Sequence, residues 1–295
     1  MDLSSLIRQL GELLGEVIVA QESQPVFEIE ERFRLLAKAR REGDTAAAKQ
    51  LPQEAAALSD DELFAVASAF ALYFDLVNVA EEVNRIQVLR HRRDAAYPVP
   101  IRNSIASAMQ TLKDEGLSAE DVQTLVNQLQ IELVLTSHPT QSKRRTVLSR
   151  VESIRDLVDQ LAQAHTSARQ REVLLRELRA EVTTLWLTDR ARTRKPQVTD
   201  EVRTTLYFVD QVFWDVLPQV YRDFEAALAE HFPEASVDHP WLTLASWVGG
   251  DRDGNPNVTQ TVTAETLRLH RGLAVEQHQA ALRALSRELS FHDHR

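Results

Sequence analysis

Residues 241–256 read WLTLASWVGGDRDGNP and contain the sharpest change of pattern in the chain. An apolar run rich in β-forming residues, Trp241–Val248, leads directly into a loop with three glycines, two aspartates, an arginine and an asparagine. A run without polar alternation is typical of a strand that is buried on both faces of a parallel sheet. The segment therefore predicts a short parallel strand with a tight, polar loop at its carboxyl end.

A second segment has the same organisation. Ile131–Thr136 (IELVLT) is a compact apolar run, and His138 and Pro139 follow it in a turn. The long helical stretch between the two runs is more than sufficient for a crossover connection between parallel strands. Functional groups collect at the carboxyl ends of such strands, so we expect the two loops to lie side by side at one edge of a sheet.

The rest of the chain favours helices. Only 8 of the 295 residues are glycine, whereas average usage predicts roughly 20, and this shortage argues against an all-β fold. Apolar residues recur three and four apart from Val202 to Phe224, with a kink or break expected at Pro218. Further helices are predicted around residues 3–22, 27–41, 60–77, 118–129, 140–165, 168–190 and 259–289. The predicted fold class is mainly α, with long helices and a few short parallel strands.

Composition excludes several classes of protein. With 34 basic and 44 acidic residues the net charge is -10, which argues against nucleic acid as a partner. The absence of cysteine excludes a disulfide scaffold and a cysteine zinc site. The longest uncharged apolar stretch near the N-terminus, Phe64–Phe74, is too short to span a bilayer, and no signal-peptide pattern precedes it. We expect a cytoplasmic protein that binds neither nucleic acid nor membranes.

The loop after the first strand carries a candidate proton-transfer group. His138 titrates near neutral pH and can accept or donate a proton during turnover. Lys143, Arg144 and Arg145 follow it and suit the binding of phosphate or another oxyanion. A hydrogen-bonded structural histidine and a solvated helix face are the alternative interpretations. Arg190, Arg192, Arg194 and Lys195 form a further basic cluster.

The loop after the second strand is the stronger signal. Its glycines permit positive φ or a close approach of the backbone. The loop does not match an EF-hand, because Pro256 and Val262 occupy the positions that require glycine and glutamate. Two interpretations stay open: Asp–Arg pairs that only hold the loop rigid, or a site in which Arg252 binds an anion. The candidate site loop comprises Trp247, Gly249, Gly250, Asp251, Asp253, Gly254 and Asn255.

Together these segments resemble the phosphoenolpyruvate carboxylase family. The resemblance is carried by two long motifs, LTSHPTQSKRRT at residues 135–146 and SWVGGDRDGNPNVT at residues 246–259. Weaker similarity extends along the chain at residues 14–18, 76–86, 186–189, 195–196 and 200–203. Ser137 stands where the family usually has alanine, and Val248 stands where it usually has methionine.

The resemblance implies a carboxy-lyase that forms oxaloacetate and phosphate from phosphoenolpyruvate and bicarbonate, replenishing the tricarboxylic acid cycle. His138 would then be the catalytic residue that takes the carboxyl proton and holds carboxyphosphate in place. Arg144, Arg145 and Arg252 would bind substrate. The resemblance also implies Mg²⁺ or Mn²⁺, with its ligands outside this chain, and a homotetramer.

The family is much longer and is built on an eight-stranded α/β barrel, of which this chain resembles the N-terminal part. We expect a helical region over residues 1–130 and the first barrel strands and helices over residues 131–295, with an incomplete C-terminus. A fragment of this kind is expected to be inactive by itself. The alternative is a truncated, non-catalytic helical module that binds a partner through exposed strand edges and an uncovered apolar face.

Overall fold

The computed structural model describes residues 2–136, 144–163, 167–189 and 196–289. These residues form two compact units, each made of two separate stretches of the chain. The first unit combines residues up to 94 with residues 143–192, and the second combines residues 95–142 with residues 193–295. The first boundary lies beside the proline-containing loop at residues 97–100. This spatial grouping is distinct from the predicted division at residue 130, which follows the order of the chain.

Helices account for most of the described residues, as the low glycine content predicts. In the first unit they are α1 (Leu3–Gln21), α2 (Gln24–Arg41), α3 (Thr45–Ala57), α4 (Asp60–Ala96), α7 (Arg145–Ala162) and α8 (Ala168–Trp186). In the second unit they are α5 (Ile105–Asp114), α6 (Ala119–Gln128), α9 (Val198–Phe208), α10 (Trp214–His231) and α11 (Gln260–Glu288). The sequence did not predict α3 and α5, and α4 is longer than the predicted segment.

The core of the first unit is formed by α1, α4, α7 and α8. Leu10, Leu72 and Leu178 are among its most buried side chains, none more than 2% exposed. Among the described residues, α4 is the one helix whose length and apolar composition would suffice for a membrane span. Its residues Leu76 and Val83 are each 1% exposed within the core, so α4 is packed as a core helix.

The core of the second unit surrounds Trp241. The indole ring packs against Phe224 of α10 and Tyr221, with ring centroids 4.7 Å and 5.2 Å apart. Val122 of α6 belongs to the same cluster and is 1% exposed. The Tyr221 hydroxyl donates to the Leu242 carbonyl and accepts from the Leu242 amide, both at 2.9 Å. These contacts fix the start of the second strand against the helices.

Two parallel strands, β1 (Ile131–Leu135) and β2 (Leu242–Ser246), form the sheet. The predicted strands and their parallel pairing are confirmed. The prediction that both strands are buried on both faces is wrong: Ile131, Leu133 and Val134 of β1 are 38–41% exposed, and every residue of β2 is only partly buried. The described part of the chain supplies only these two strands, so β1 has no neighbour along its other edge.

The helix around Pro218 does not break there. α10 continues from Trp214 through Pro218 to His231, and a π-helical segment, Val209–Phe213, precedes it. Proline removes one backbone donor and its ring crowds the carbonyl of Trp214. The irregularity therefore lies one turn before the proline, where the wider π-helical turn connects α9 to α10.

Candidate active site at the strand ends

The register of the sheet places the starts of both candidate loops at the same edge. Leu135 pairs with Ser246 at the ends of the two strands. The Trp247 amide then donates to the Leu135 carbonyl at 2.9 Å, which extends the ladder by one further bond. The chain after Leu135 and the chain after Ser246 therefore leave the sheet side by side, as the sequence predicted.

The second loop is held close to α9 and α11 at Gly249. Gly249 has a φ of +82° and is buried, and a Cβ atom at this position would lie 2.2 Å from the Thr266 hydroxyl oxygen and 2.8 Å from a methyl group of Val202. Any side chain would clash with both neighbours, so the site requires glycine for its conformation and for its lack of volume. Gly254 differs, because its φ is +75° but no atom lies within 4 Å.

Backbone hydrogen bonds and one asparagine define the shape of the loop. The amides of Gly250 and Asp251 both donate to the Trp247 carbonyl, at 3.0 Å and 2.8 Å. The Asn255 side-chain oxygen accepts from the Asn257 amide at 3.0 Å, an Asx turn that leads into α11. Val248 and Val258 anchor the two ends of the loop and are 5% and 6% exposed.

The charged side chains of the loop take no part in this framework. Asp251, Arg252 and Asp253 are exposed, and within residues 196–289 and the other described ranges their side chains form no hydrogen bond or ion pair. The interpretation that Asp–Arg pairs hold the loop rigid is therefore wrong. No residue within the described ranges occupies the donors of the Arg252 guanidinium, and a planar guanidinium is well suited to phosphate or carboxylate. Trp247 is exposed beside it.

Arg144 and Arg145 lie at the start of α7 and belong to the first unit, whereas the loop of Arg252 belongs to the second. Arg144 occupies the N-cap position without capping an amide, and it forms an ion pair with Asp189 at 3.2 Å. No acidic residue lies in the first turn of α7, although acids are favoured there. Cations are unfavourable at a helix N-terminus, and the charge of Arg144 is compensated by its ion pair with Asp189.

Several predicted residues lie outside the described ranges. His138 and Lys143 fall within residues 137–143, and the basic cluster at residues 190–195 falls in another such range. Their positions therefore remain predictions from the sequence.

The sequence did not single out His270. This residue lies on α11 one turn after Thr266 and lines a cavity of about 190 Å³ behind the strand ends, together with Leu135 and Ser246. Its Nε2 atom is buried and has no hydrogen-bond partner among the described residues, and burial lowers the pKa of the imidazole. Thr266 and His270 are polar residues four apart on α11, and both face inward. This spacing was the signal in the sequence that could have identified His270.

The described residues contain no group of three or more His, Cys, Asp or Glu side chains that could hold a metal ion. At the edge of the sheet where β1 and β2 end, the site consists of the exposed Arg252 guanidinium on a loop that its glycines and backbone hydrogen bonds hold in place. Chemically it can bind an anion and orient it against the strand ends.

The sequence of the chain is similar to one family of known proteins. Residues 3–295 match the family model described as phosphoenolpyruvate carboxylase. Proteins of that name are similar along almost the whole chain. The relative from Roseiflexus castenholzii is 39% identical over 97% of this chain, and the relative from Thermus thermophilus is 37% identical over 96%. These alignments cover 31% and 32% of the two relatives, so the chain spans about a third of their length.

Proposed function

The chain belongs to the phosphoenolpyruvate carboxylase family, and we propose that it supplies the N-terminal portion of an enzyme that carboxylates phosphoenolpyruvate. The reaction consumes bicarbonate and forms oxaloacetate and phosphate, which replenishes the tricarboxylic acid cycle. The observation that carries this proposal is the loop of residues 247–255. It presents Arg252 without a described partner, at the sheet edge where the chain toward His138 also leaves the sheet.

In the proposed reaction, bicarbonate attacks the phosphate of phosphoenolpyruvate and gives carboxyphosphate and the enolate of pyruvate. Carboxyphosphate then yields carbon dioxide and phosphate, and the enolate carbon attacks the carbon dioxide. His138 takes the carboxyl proton, a step for which a group that titrates near neutral pH is suited. Arg252 binds the phosphate and offsets the charge that develops on its oxygens. Arg144 and Arg145 stay candidate substrate-binding residues on the family resemblance alone.

The proposed role of the loop glycines is to place Arg252. Because Gly249 fixes the loop against α9 and α11, the guanidinium is carried by a rigid support, which lowers the entropy lost on binding an anion. Asp251 and Asp253 are exposed on the same loop. Their negative charge opposes the binding of an anion, so the proposal requires direct contact between the phosphate and the Arg252 guanidinium.

In the complete enzyme, this chain would be joined by further barrel strands and a divalent metal ion. β1 and β2 would be the first strands of an eight-stranded α/β barrel, within the N-terminal part predicted over residues 1–295. Mg²⁺ or Mn²⁺ would assist the reaction by stabilising charge on oxygen. The described side chains do not form a site for it, so we assign the metal no ligand and no step here. The complete enzyme would be a cytoplasmic homotetramer, and the isolated chain would be inactive.

Retention on a phosphonate-bearing column tests the anion site directly. We expect the 295-residue chain to be retained, and Arg252→Gln to weaken binding by about tenfold to a hundredfold, the range for a charge-assisted hydrogen-bonded contact. Arg283→Gln is the matched control, because it removes the same charge from an exposed position on α11. Equal retention of the two variants would contradict the proposed role of Arg252.

The exposed apolar residues of β1 favour the alternative function, a non-catalytic module that binds a partner. Ile131 and Leu133 lie on the same face of the strand and form an exposed apolar patch of the kind that associates with another protein. The alternative predicts that Leu133→Glu abolishes self-association or partner binding while retention on the phosphonate column does not depend on Arg252. The carboxylase proposal predicts that retention on the column depends on Arg252 both in the wild-type chain and in the Leu133→Glu variant.

A further inference from the structure

A cleft of about 1130 Å³ lies in the first unit, bounded by α1, α2, α4 and α8. It is separate from the strand ends and plays no part in the function proposed above. Its walls combine apolar residues with four glutamates and three arginines. The pairing of these charges indicates what the cleft can bind.

Most of the charges in the cleft neutralise one another. Arg34 forms a bidentate pair with Glu31, with N–O distances of 2.8 Å and 2.7 Å. Arg179 of α8 pairs with Glu16 of α1 at 3.0 Å. These pairs occupy two of the three arginines, so the cleft is poorly suited to an anion.

Arg8, Glu12 and Glu30 are the three charged groups of the cleft outside these pairs, and of the three only Glu30 is buried. Its side chain lines the cleft and the residue is 7% exposed, yet within the described ranges its carboxyl forms no hydrogen bond or ion pair. Desolvation, together with repulsion from Glu31, raises the pKa of this carboxyl to about 7. A largely desolvated carboxylate without a partner is costly, and a cation bound in the cleft would offset part of that cost.

Two aromatic rings, those of Phe27 and Tyr73, line the same cleft as this carboxyl. A Cβ atom on Gly15 would lie 2.7 Å from the Phe27 ring, so the glycine allows the ring to pack directly on the backbone of α1. Tyr73 of α4 lies in a similar position beside Gly11, where the corresponding distance is 3.7 Å. Aromatic faces attract organic cations, and apolar walls accept an alkyl chain.

We infer that the cleft binds a small primary alkylammonium ion, with its ammonium group on the Glu30 carboxylate and its alkyl chain against Phe27 and Tyr73. A hydrated metal ion fits less well, because a single unpaired buried carboxylate supplies few of the oxygen ligands that Mg²⁺ or Ca²⁺ requires. The ligand is thus an amine with a short apolar body.

The charged and titratable groups around Glu30 come from four helices. They are Arg8, Glu12 and Glu16 on α1, Glu31 and Arg34 on α2, Tyr73 on α4, and Arg179 on α8. The pKa of Glu31 is lowered by its hydrogen bonds from Arg34, so it stays ionised at neutral pH. The arginines stay charged, which leaves Glu30 as the group expected to change its charge near pH 7.

Calorimetric titration of the 295-residue chain with n-butylamine tests the inference, with n-butanol as the uncharged control. The amine stays protonated from pH 6 to pH 8. With its pKa at about 7, Glu30 is ionised to roughly one tenth at pH 6 and nine tenths at pH 8. We therefore expect the Kd for butylamine to be about tenfold lower at pH 8 than at pH 6, with proton release on binding at pH 7.

Glu30→Gln keeps the size of the side chain and removes its charge, so it should weaken butylamine binding at least about tenfold and abolish the pH dependence. Glu28→Gln is the matched control on the same helix, because Glu28 is exposed, and it should leave binding unchanged. The inference is overturned if butylamine binds no better than butanol. It is also overturned if wild-type binding does not change between the two pH values, a result that does not depend on any variant.

Discussion

Replacing Gly249 by alanine tests how the candidate site loop is held in place. The new methyl group would lie 2.2 Å from the Thr266 hydroxyl oxygen and 2.8 Å from Val202, on a backbone with a φ of +82°. The left-handed conformation costs a non-glycine residue about 1–2 kcal/mol, and overpacking costs about 1–3 kcal/mol. The unfolding free energy of the second unit should therefore fall by about 2–5 kcal/mol.

Gly254→Ala is the matched control, because its φ of +75° is similar but its surroundings are open. It should cost only the conformational part, about 1–2 kcal/mol. Urea unfolding followed by tryptophan fluorescence measures both variants in a Trp186→Phe background. The chain has 4 tryptophans, and the three that remain all belong to the second unit.

A third variant separates the two contributions further. Adding Thr266→Ala to Gly249→Ala removes both Thr266 atoms that the new Cβ would meet, so the double variant should be more stable than the sum of the single losses predicts. Equal losses for Gly249→Ala and Gly254→Ala would refute the reasoning, because they would show that close packing against α9 and α11 contributes nothing.

Three other variants test separate parts of the structure. Tyr221→Phe removes the hydroxyl that hydrogen-bonds to both backbone groups of Leu242. Urea unfolding should show that the free energy of unfolding falls by about 1–3 kcal/mol. The control Tyr97→Phe, at an 85% exposed position, should leave it unchanged. Glu30 binds a proton in the folded chain between its ordinary pKa of 4.5 and about 7, so stability should fall by up to about 3 kcal/mol as the pH rises through that window. Glu30→Gln should abolish this fall, and an unchanged pH profile would argue against a buried, unpaired carboxyl. Arg144→Gln breaks a partly exposed ion pair with Asp189 and should change stability by less than about 1 kcal/mol; a larger loss would assign Arg144 a structural role.

The sequence predicted those features of the fold that depend on local pattern. The two strands follow from compact apolar runs that end in turn residues, and α6 follows from a capping box in which Ser118 and Asp121 bond reciprocally. α3 escaped prediction because it is rich in alanine, contains Pro52 and buries only Ala47. An amphipathic pattern is weak in such a helix, since so little of its surface faces a core.

The two compact units could not be predicted, since each joins stretches that are distant in sequence. The same limit applies to the burial of the strands. Apolar composition indicates what a strand can bury, but exposure depends on which elements cover it, and β1 lacks a second neighbour within the described residues.

The composition of the site loop was readable from the sequence, but the source of its rigidity was not. Gly249 is constrained by Thr266 and Val202, which come from two different helices, and no local pattern records that contact. Asn255 forms the Asx turn that the Asp–Arg interpretation overlooked. The unpaired groups of Glu30 and His270 likewise depend on packing rather than on spacing.

The central claim is that the loop of residues 247–255 binds the phosphate of phosphoenolpyruvate through Arg252. The most direct measurement is the rate of oxaloacetate formation by a chimera in which this chain replaces the corresponding third of the Roseiflexus castenholzii relative. We predict that the chimera is active, that Arg252→Gln lowers kcat/KM for phosphoenolpyruvate by at least about tenfold, and that Arg283→Gln leaves it unchanged. A folded but inactive chimera, or equal kcat/KM for the two variants, would contradict the claim.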